Sequence, residues 1–293
     1  MNHLTSKPDV IIHGTARDST SIEGLGDCSL CDFRNPDDIR RVINAVQPDQ
    51  ILHLAASSDS ARPNDMLQIN VSGTWHLLEA CRKLQKPVDI LLVGSAASFG
   101  EMRPDEVRLA GYRVCKPGSL YGLSRQTQLE LGRITNGIDG VQIFLCRTFN
   151  LIGPGISDRY VPAALGKRIA AAAGKGLAEL AIRDLDAVRD FIDVRDAVAA
   201  YVAILRKGRS GYAYSVGRGD PVTIRQLADI LTKEQGSGVR LTDDSSHVGE
   251  SRTGIQRSVA DPSDLITETG WTPLYTLAES VRDMFSHSPA FPL

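Results

Sequence analysis

Short apolar runs alternate with amphipathic stretches through the first half of the chain. Continuous apolar runs predict buried strands at 9–14, 50–56, 88–94 and 141–147. Helices are predicted at 36–46, 65–83 and 120–136. Strands that alternate with helices over short links predict an α/β fold, a doubly wound parallel sheet with helices on both faces. Ligands of such sheets bind at the carboxyl ends of the strands.

The stretch 36–46 carries the clearest helix signals. Asn35 is a plausible N-cap, and Pro36 stands at the first helical position. Apolar residues recur there at spacings of three and four, at Ile39, Val42, Ile43 and Val46. We therefore expect a helix that buries one face.

The second half of the chain has a different organisation. A Gly/Pro-rich link at 152–165 leads into a helix of small residues, and a short strand at 189 leads into an amphipathic helix that ends near 205. A further strand is predicted at 211–217, and Thr223 with Gln226 has the spacing of a capping box. Two lobes, one for a nucleotide and one for a substrate, fit this pattern better than one.

Composition and charge narrow the class of protein. The chain has 293 residues, 42% of them hydrophobic and 23% charged, with a net charge of −2. This balance argues against binding to nucleic acid or to a membrane surface through bulk charge. The N-terminus has no signal-peptide pattern and no apolar run could span a bilayer, so we expect a cytoplasmic protein.

The cysteines do not predict a metal or disulfide framework. There are five in the whole chain, and only Cys28 and Cys31 form a C-x-x-C motif. A second such pair, or histidines at metal-ligand spacing, is missing from the sequence. We therefore expect no metal site.

The strongest chemical pattern is Tyr121 followed four residues later by Arg125. This spacing places both side chains on one face of the predicted helix at 120–136. A neighbouring cation stabilises a phenolate, so Tyr121 could donate or accept a proton near neutral pH. Ser95, at the end of a predicted strand, could hold the reacting oxygen.

Several further motifs accompany this pair in a fixed order. They are HLAA (53–56), INVSGTWHLLEA (69–80), GSAASFG (94–100), SLYGLSR (119–125), RTFNLIGPG (147–155), RDFIDVRDAV (189–198) and GW-P (270–273). As a set they resemble the extended short-chain dehydrogenase/reductases, the NAD-dependent epimerase/dehydratase family, over residues 10–282. The residues of the motifs RTFNLIGPG and RDFIDVRDAV are most similar to those of one branch of the family. This branch contains the GDP-mannose 4,6-dehydratases and the GDP-4-dehydro-6-deoxy-D-mannose reductases.

The resemblance implies catalytic and substrate-binding roles for particular residues. Tyr121 would be the catalytic acid, and Ser95 would hydrogen-bond the C4 oxygen of the sugar. Arg125 stands where the family has a lysine that binds the nicotinamide ribose and lowers the tyrosine pKa. Contacts to the sugar nucleotide are implied for Asn150, Arg189 and Arg252.

The resemblance also implies a cofactor site for NADP or NAD. Asp32 would lie near the adenine of the cofactor. The backbone of Ala55 and Ala56 would lie alongside the cofactor diphosphate. Arg17 would meet a 2′-phosphate at the adenosine ribose, which favours NADP. The domain organisation implied is a Rossmann-like domain at 1–150, which also receives 189–235. The smaller substrate lobe would comprise 151–188 and 236–293.

The sequence departs from the family pattern after Ser95. The 4,6-dehydratases place an acidic pair there to remove water across C5 and C6, whereas this chain has Ala96 and Ala97. Alanine cannot move protons, so reduction or oxidation at C4 fits better than dehydration. A 4-epimerase also lacks the acidic pair and stays possible.

A second departure lies at the start of the chain. No G-x-x-G-x-x-G motif is present, although the fold normally begins with a strand, this turn and a helix that holds the dinucleotide phosphates. The segment around Gly14 aligns better with the second strand, so the first strand and its glycine turn are missing. Three explanations stand open: a fragment of an active enzyme, a degenerate paralogue that binds sugar nucleotide without reducing it, or an irregular replacement built by residues 1–20.

The sequence therefore predicts an NAD(P)H-dependent reductase of a 4-keto-6-deoxyhexose carried on GDP or a similar nucleotide. The alternatives are a nucleotide-sugar 4-epimerase and a non-catalytic sugar-nucleotide-binding protein. Family members often dimerise through a four-helix interface that includes the tyrosine helix, so a homodimer is expected.

Overall fold

The structure, a computed structural model, describes residues 10–18, 27–244 and 255–286. Its strands are β1 Gly14–Ala16, β2 Cys28–Leu30, β3 Gln50–His53, β4 Val88–Ser95, β5 Val141–Thr148, β6 Asn150–Ile152, β7 Glu179–Ile182, β8 Val188–Arg189, β9 Phe191–Asp193, β10 Ala213–Val216, β11 Val222–Thr223, β12 Arg240–Asp243 and β13 Arg257–Ser258. Its helices are α1 Pro36–Val46, α2 Pro63–Leu67, α3 Thr74–Arg82, α4 Leu120–Thr135, α5 Val161–Gly174, α6 Val194–Lys207, α7 Ile224–Glu234, α8 Ser263–Thr269 and α9 Leu277–Ser286. A π-helical turn, Gln68–Gly73, joins α2 to α3, and a 3₁₀ turn, Ala96–Phe99, follows β4.

The main sheet has the order β10-β5-β4-β3, with every pair parallel. Helix α4 packs against β4 and β5, and α6 packs against the same two strands. Apolar side chains from alternate positions of these strands enter two different buried clusters, one of which contains residues of α4 and the other residues of α6. The predicted α/β class with a parallel sheet is confirmed.

The sheet is interrupted beside β3. Strands β1 and β2 pair in parallel with each other, and β3 pairs with β4. A doubly wound sheet has the strand order 3-2-1-4-5-6, in which β1 and β2 occupy positions 2 and 3 and β3 occupies position 4. Among residues 10–18, 27–244 and 255–286, no strand fills position 1 between β1 and β3. The strand expected to be missing is thus not found among the described residues.

The prediction of a strand at 9–14 is wrong in its bounds. Residue 9 lies outside the described residues, 10–13 have no strand structure, and β1 begins at Gly14. Val10 is 38% exposed and Ile11 is 96% exposed. An apolar run becomes a buried strand only where neighbouring strands cover it, and β1 has β2 on one side alone.

Local signals placed most helices correctly. The Asn35 side chain accepts a hydrogen bond from the backbone N–H of Asp37 at 3.0 Å, as its N-cap position predicts. Thr223 and Gln226 form the predicted capping box at the start of α7. The helix predicted at 65–83 is present as α2, the π turn and α3 in succession.

A second buried cluster lies apart from the main sheet. Helices α5, α7 and α9 contribute to it, together with apolar residues of β6, β7 and β9. Strand β7 pairs with β12, and β8 pairs with β11 and β13. Helix α8 packs instead against α6 and β10. The division into 1–150 with 189–235 and 151–188 with 236–293 stays a prediction.

Candidate active site

Ser95 and Tyr121 stand on two elements that meet at the carboxyl edge of the main sheet. Ser95 ends β4 and caps the following 3₁₀ turn, where its Oγ accepts a hydrogen bond from the Ala97 N–H at 3.2 Å. Ser119 caps α4 in the same way, and its Oγ accepts from the Gly122 N–H at 3.1 Å. Tyr121 is therefore fixed in the first turn of α4, with its side chain partly exposed.

Gly122 allows α4 to touch the turn that follows Ser95. A Cβ atom at Gly122 would lie 3.0 Å from the carbonyl carbon of Ala97 and would overlap the carbonyl oxygen. Carbon atoms in ordinary contact are about 3.5–4.0 Å apart. The absence of a side chain at Gly122 thus brings the backbone beside Tyr121 against the backbone beside Ser95.

Arg125 is buried beneath this junction. It is 4% exposed, and its Nη2 donates a short hydrogen bond to the Val93 carbonyl on β4. Its Nε and Nη1 atoms are buried and have no hydrogen-bond partner. Buried N–H groups without acceptors are costly, so a ligand oxygen that reached them would be stabilised.

A buried histidine lies close to Arg125. His53 is at the end of β3, and its Nε2 is 3.0 Å from Oγ1 of Thr74. Because the Thr74 hydroxyl donates to the Asn70 carbonyl at 2.8 Å, we assign the His53 Nε2–H as the donor to Thr74. Burial, and secondly the charge of Arg125, lower the His53 pKa to about 3. His53 is thus neutral near pH 7 and serves packing, not proton transfer.

Asn70 connects the loop after β3 to the tyrosine helix. Its side-chain amide forms two 2.8 Å hydrogen bonds with the backbone of Ser57 and donates to Ser124 Oγ at 2.9 Å. The Ser124 hydroxyl donates in turn to the Tyr121 carbonyl at 2.8 Å. This fully buried link holds the loop that contains Ala55 and Ala56 against the start of α4. The sequence analysis missed Asn70, whose only local signal is an amide on a face that is otherwise apolar.

Arg17 and Asp32 follow the ends of β1 and β2. Arg17 is exposed and pairs with Asp18 at 3.6 Å. Asp32 is chelated by Arg34, whose Nε lies 3.0 and 3.1 Å from its two carboxylate oxygens. The hydrogen bonds from Arg34 lower the Asp32 pKa. Asp32 is thus a charged acceptor whose oxygens are already partly engaged.

The residues present fit the two ends of a dinucleotide unequally. The buried, unpartnered nitrogen atoms of Arg125 suit the hydroxyl oxygens of a ribose. For the diphosphate, a doubly wound fold uses the helix that follows strand 1. Because β1 takes position 2 of that order, this helix would precede Gly14, and residues 10–13, the described residues before β1, are not helical. The described residues therefore offer donors to the nicotinamide end, and they include no helix N-terminus of this kind for the diphosphate.

Asn150 and Arg189, two of the proposed substrate residues, are brought near each other by the backbone of Asp190. The Asn150 amide donates to the Asp190 carbonyl at 2.9 Å, and Arg189 donates to the Ile255 carbonyl at 2.8 Å. Arg252 lies outside the described residues. The Arg189 guanidinium therefore binds the backbone at Ile255, three residues after Arg252 in the sequence.

The Asp190 carboxylate holds three backbone segments together next to Arg189. It is fully buried, and its carboxylate accepts backbone N–H groups of Arg218, Gly219 and Ala260 at 2.9, 2.8 and 3.0 Å. Burial raises the Asp190 pKa to about 6. The sequence analysis treated its neighbours Arg189 and Asn150 as functional and missed this supporting carboxylate.

The described residues show neither a cluster of metal ligands nor a membrane-spanning helix. Across residues 10–18, 27–244 and 255–286, no three His, Cys, Asp or Glu side chains gather as metal ligands. Burial raises the pKa of Cys31 to about 11. Over the same residues, no helix combines the length and apolar character needed to cross a bilayer.

The chain is similar to a known protein family and to proteins of known activity. The NAD dependent epimerase/dehydratase family model matches residues 2–217. The chain is 29% identical over 245 residues to a GDP-6-deoxy-D-mannose reductase of Pseudomonas aeruginosa, covering 82% of this chain and 80% of the relative. It is 24% identical over 264 residues to a dTDP-6-deoxy-L-talose 4-dehydrogenase (NAD(P)(+)) of Kitasatospora kifunensis, covering 88% and 81%.

Two solved structures resemble the fold over almost the whole chain. The structure of RMD from Pseudomonas aeruginosa complexed with NADPH has a TM-score of 0.80 at 26% identity, covering 98% of this chain and 94% of that chain. The Thermus thermophilus UDP-glucose 4-epimerase in complex with NAD has a TM-score of 0.83 at 21% identity, covering 98% and 93%. The second likeness shows the fold alone.

Proposed function

Because the chain belongs to the NAD dependent epimerase/dehydratase family, we propose that it is a nucleotide-sugar reductase that acts on the C4 keto group of a 6-deoxyhexose. The observation that carries this proposal is the contact of the Ser95 turn with the first turn of the tyrosine helix, made possible by Gly122. The family's acid and its partner serine are thereby held on adjoining backbones. A GDP-linked substrate is supported by the GDP-6-deoxy-D-mannose reductase relative.

The hydroxyl of Ser95 is ready to donate to the substrate. Its oxygen already accepts the Ala97 N–H, so its own proton is free for the C4 oxygen of the sugar. Tyr121 would donate the proton that this oxygen needs when the ketone becomes an alcohol. Arg125 would hold the ribose and stabilise the phenolate that remains. A bound nicotinamide cofactor would supply the hydride.

NADP or NAD is the cofactor of this proposal, with NADP favoured. Arg17 is exposed at the end of β1, where it could meet a 2′-phosphate. Asp32, partly engaged by Arg34, would lie near the adenine. The backbone of Ala55 and Ala56 would contact the diphosphate. Equal rates with NADPH and NADH would remove the role proposed for Arg17.

The 4-epimerase is the second candidate, because Ala96 and Ala97 disfavour dehydration and do not disfavour epimerisation. It differs in outcome, since an epimerase returns hydride to the same carbon and consumes no cofactor. The third candidate, a sugar-nucleotide-binding protein without catalysis, is favoured by the interrupted sheet between β1 and β3. It predicts substrate binding with no turnover.

A direct assay separates these candidates. Purified protein is mixed with NADPH or NADH and with the GDP- or dTDP-linked 4-keto-6-deoxyhexose, and the absorbance of reduced cofactor is followed. The proposal expects cofactor loss with a 6-deoxyhexose product, fastest with the GDP sugar. Interconversion of 4-epimers without net cofactor use would favour the epimerase, and binding without any turnover would favour the third candidate.

We further propose a homodimer through the tyrosine helix. Leu120, Leu123 and Ile134 on α4 are 39%, 50% and 65% exposed, and Leu67 on α2 is 37% exposed. The spacings of the α4 residues place them along one helix face. Leu123→Glu should convert a dimer to a monomer in light scattering; a wild-type monomer would refute the interface.

A cytoplasmic location stays a prediction from the sequence.

A further inference from the structure

Arg147 is a buried cation that lies among the elements carrying the proposed catalytic residues. It is the next-to-last residue of β5, in register with Gly94 on β4, and it is 5% exposed. None of the motif roles discussed so far uses its side chain.

Its guanidinium contacts three separate elements. Nη1 donates to the carbonyl of Gly111 at 2.9 Å, in the loop 100–118, and Nη2 donates to Oε1 of Gln126 on α4 at 3.1 Å. Its Cζ lies 5.1 Å from the ring centroid of Phe99, the last residue of the turn that begins after Ser95. One planar group therefore links the serine turn, the connecting loop and the tyrosine helix.

Burying the charged Arg147 guanidinium lowers the stability of the fold, so stability alone does not explain why it is there. Both of these hydrogen bonds go to neutral oxygens, and the buried Nε of Arg147 has no partner. Burial is the main influence on its pKa, which it lowers. The charge of Glu130 acts in the opposite direction, but its effect on the Arg147 pKa is smaller than that of burial. A buried cation that forms no ion pair with a carboxylate opposes folding, so its presence favours a role in geometry.

We propose that Arg147 is a positioning residue that fixes the turn after Ser95 and the tyrosine helix in one arrangement. The inference rests on the proposed reductase function. Lysine could not replace it, because a single ammonium on a flexible stem cannot reach two acceptors in a plane and also lie flat on an aromatic ring. The effect is on orientation, so it falls on the chemical step more than on substrate binding.

The test compares Arg147→Lys with Arg209→Lys. Arg209 is a control for the substitution itself, since it also forks to an acceptor (Glu268, at 2.9 and 2.6 Å) and lies 3.9 Å over a ring (Tyr212). Its side chain is 57% exposed, and it lies outside the three elements above. We expect Arg147→Lys to lower kcat at least tenfold with KM changed less than threefold, and Arg209→Lys to change neither.

Hydrogen exchange provides a readout that does not need activity. Arg147→Lys should speed amide exchange in the turn Ala96–Phe99, in the loop 100–118 and in the first two turns of α4, while the rest of the main sheet exchanges as in the wild type. Unchanged exchange at those amides, or a uniform increase across the protein with a matching fall in Tm, would overturn the proposal. A wild type without turnover would refute the reductase function and leave this exchange measurement to decide the role of Arg147.

Discussion

The junction at Gly122 gives the sharpest prediction about the proposed active site. Replacing Gly122 by alanine adds one methyl group in the first turn of α4. That carbon would stand 3.0 Å from the Ala97 carbonyl carbon and 3.2 Å from Pro117 Cβ, and it would overlap the Ala97 oxygen. Since carbon contacts need about 3.5–4.0 Å, the helix and the turn must separate by roughly 0.5–1 Å.

The expected effects on stability and activity differ in size. Overpacking costs about 1–3 kcal/mol, and alanine recovers up to about 1 kcal/mol of helix propensity, so the protein should stay folded. A displacement of about 1 Å between reacting groups can cost about 10²-fold in rate. We therefore expect kcat to fall about a hundredfold with a small change in Tm.

The assay measures kcat by cofactor absorbance and Tm by circular dichroism for Gly122→Ala and Gly118→Ala. Gly118 is a close control, because a Cβ atom there would meet nothing within 4 Å. The reasoning is refuted if Gly122→Ala keeps wild-type kcat, or if Gly118→Ala loses as much.

Three further predictions follow from buried groups near the site. Arg125→Lys should raise kcat, since an ammonium suits the ribose better and removes the unpartnered Nε and Nη1 atoms; a fall in both kcat and Tm would contradict this. Asn70→Ala should lower the free energy of unfolding by about 1–3 kcal/mol, because the backbone of Ser57 loses its partners, and chemical denaturation showing no loss would count against the link. Burial raises the Asp190 pKa to about 6, above its unfolded value, so its protonation favours the folded state at low pH and this gain disappears as pH rises through 6. The unfolding free energy of wild type relative to Asp190→Asn should therefore increase by about 1 kcal/mol from pH 7 to pH 5, and a pH-independent difference would refute it.

Local sequence signals predicted those parts of the fold that local forces determine. Helix α1 begins and ends where its cap, proline and apolar period place it, because these interactions lie within a few residues of one another. The run at 9–14 carried the same kind of apolar signal but could not predict its strand, since a strand depends on neighbours that are distant in the chain. The absent glycine turn predicted that the first strand is missing, and among the described residues no strand lies between β1 and β3. Residues 1–9, which could rebuild that strand, lie outside the described residues.

The sequence predicted the candidate catalytic residues of the site. It did not predict the buried polar residues that hold their elements in place. Ser95 and Tyr121 stand in recognisable sequence patterns, and their elements do meet. Their catalytic roles stay a prediction. Asn70, Asp190 and Arg147 stand inside the same quoted motifs, but no individual role was inferred for them. Their side-chain partners lie far along the chain, so local sequence does not indicate what they hold together. The partners of Arg147, for example, are 36 and 21 residues away.

The central claim is that Tyr121 donates a proton to a sugar ketone while reduced cofactor is consumed. The most direct measurement is the rate of NADPH oxidation with the GDP-linked 4-keto-6-deoxyhexose, for wild type and Tyr121→Phe at matched substrate occupancy. Loss of a general acid costs about 10²–10⁴-fold, so we expect turnover by the wild type and a rate at least a hundredfold lower in the variant. Equal rates in the two proteins, or binding by the wild type without any oxidation of NADPH, would contradict the account.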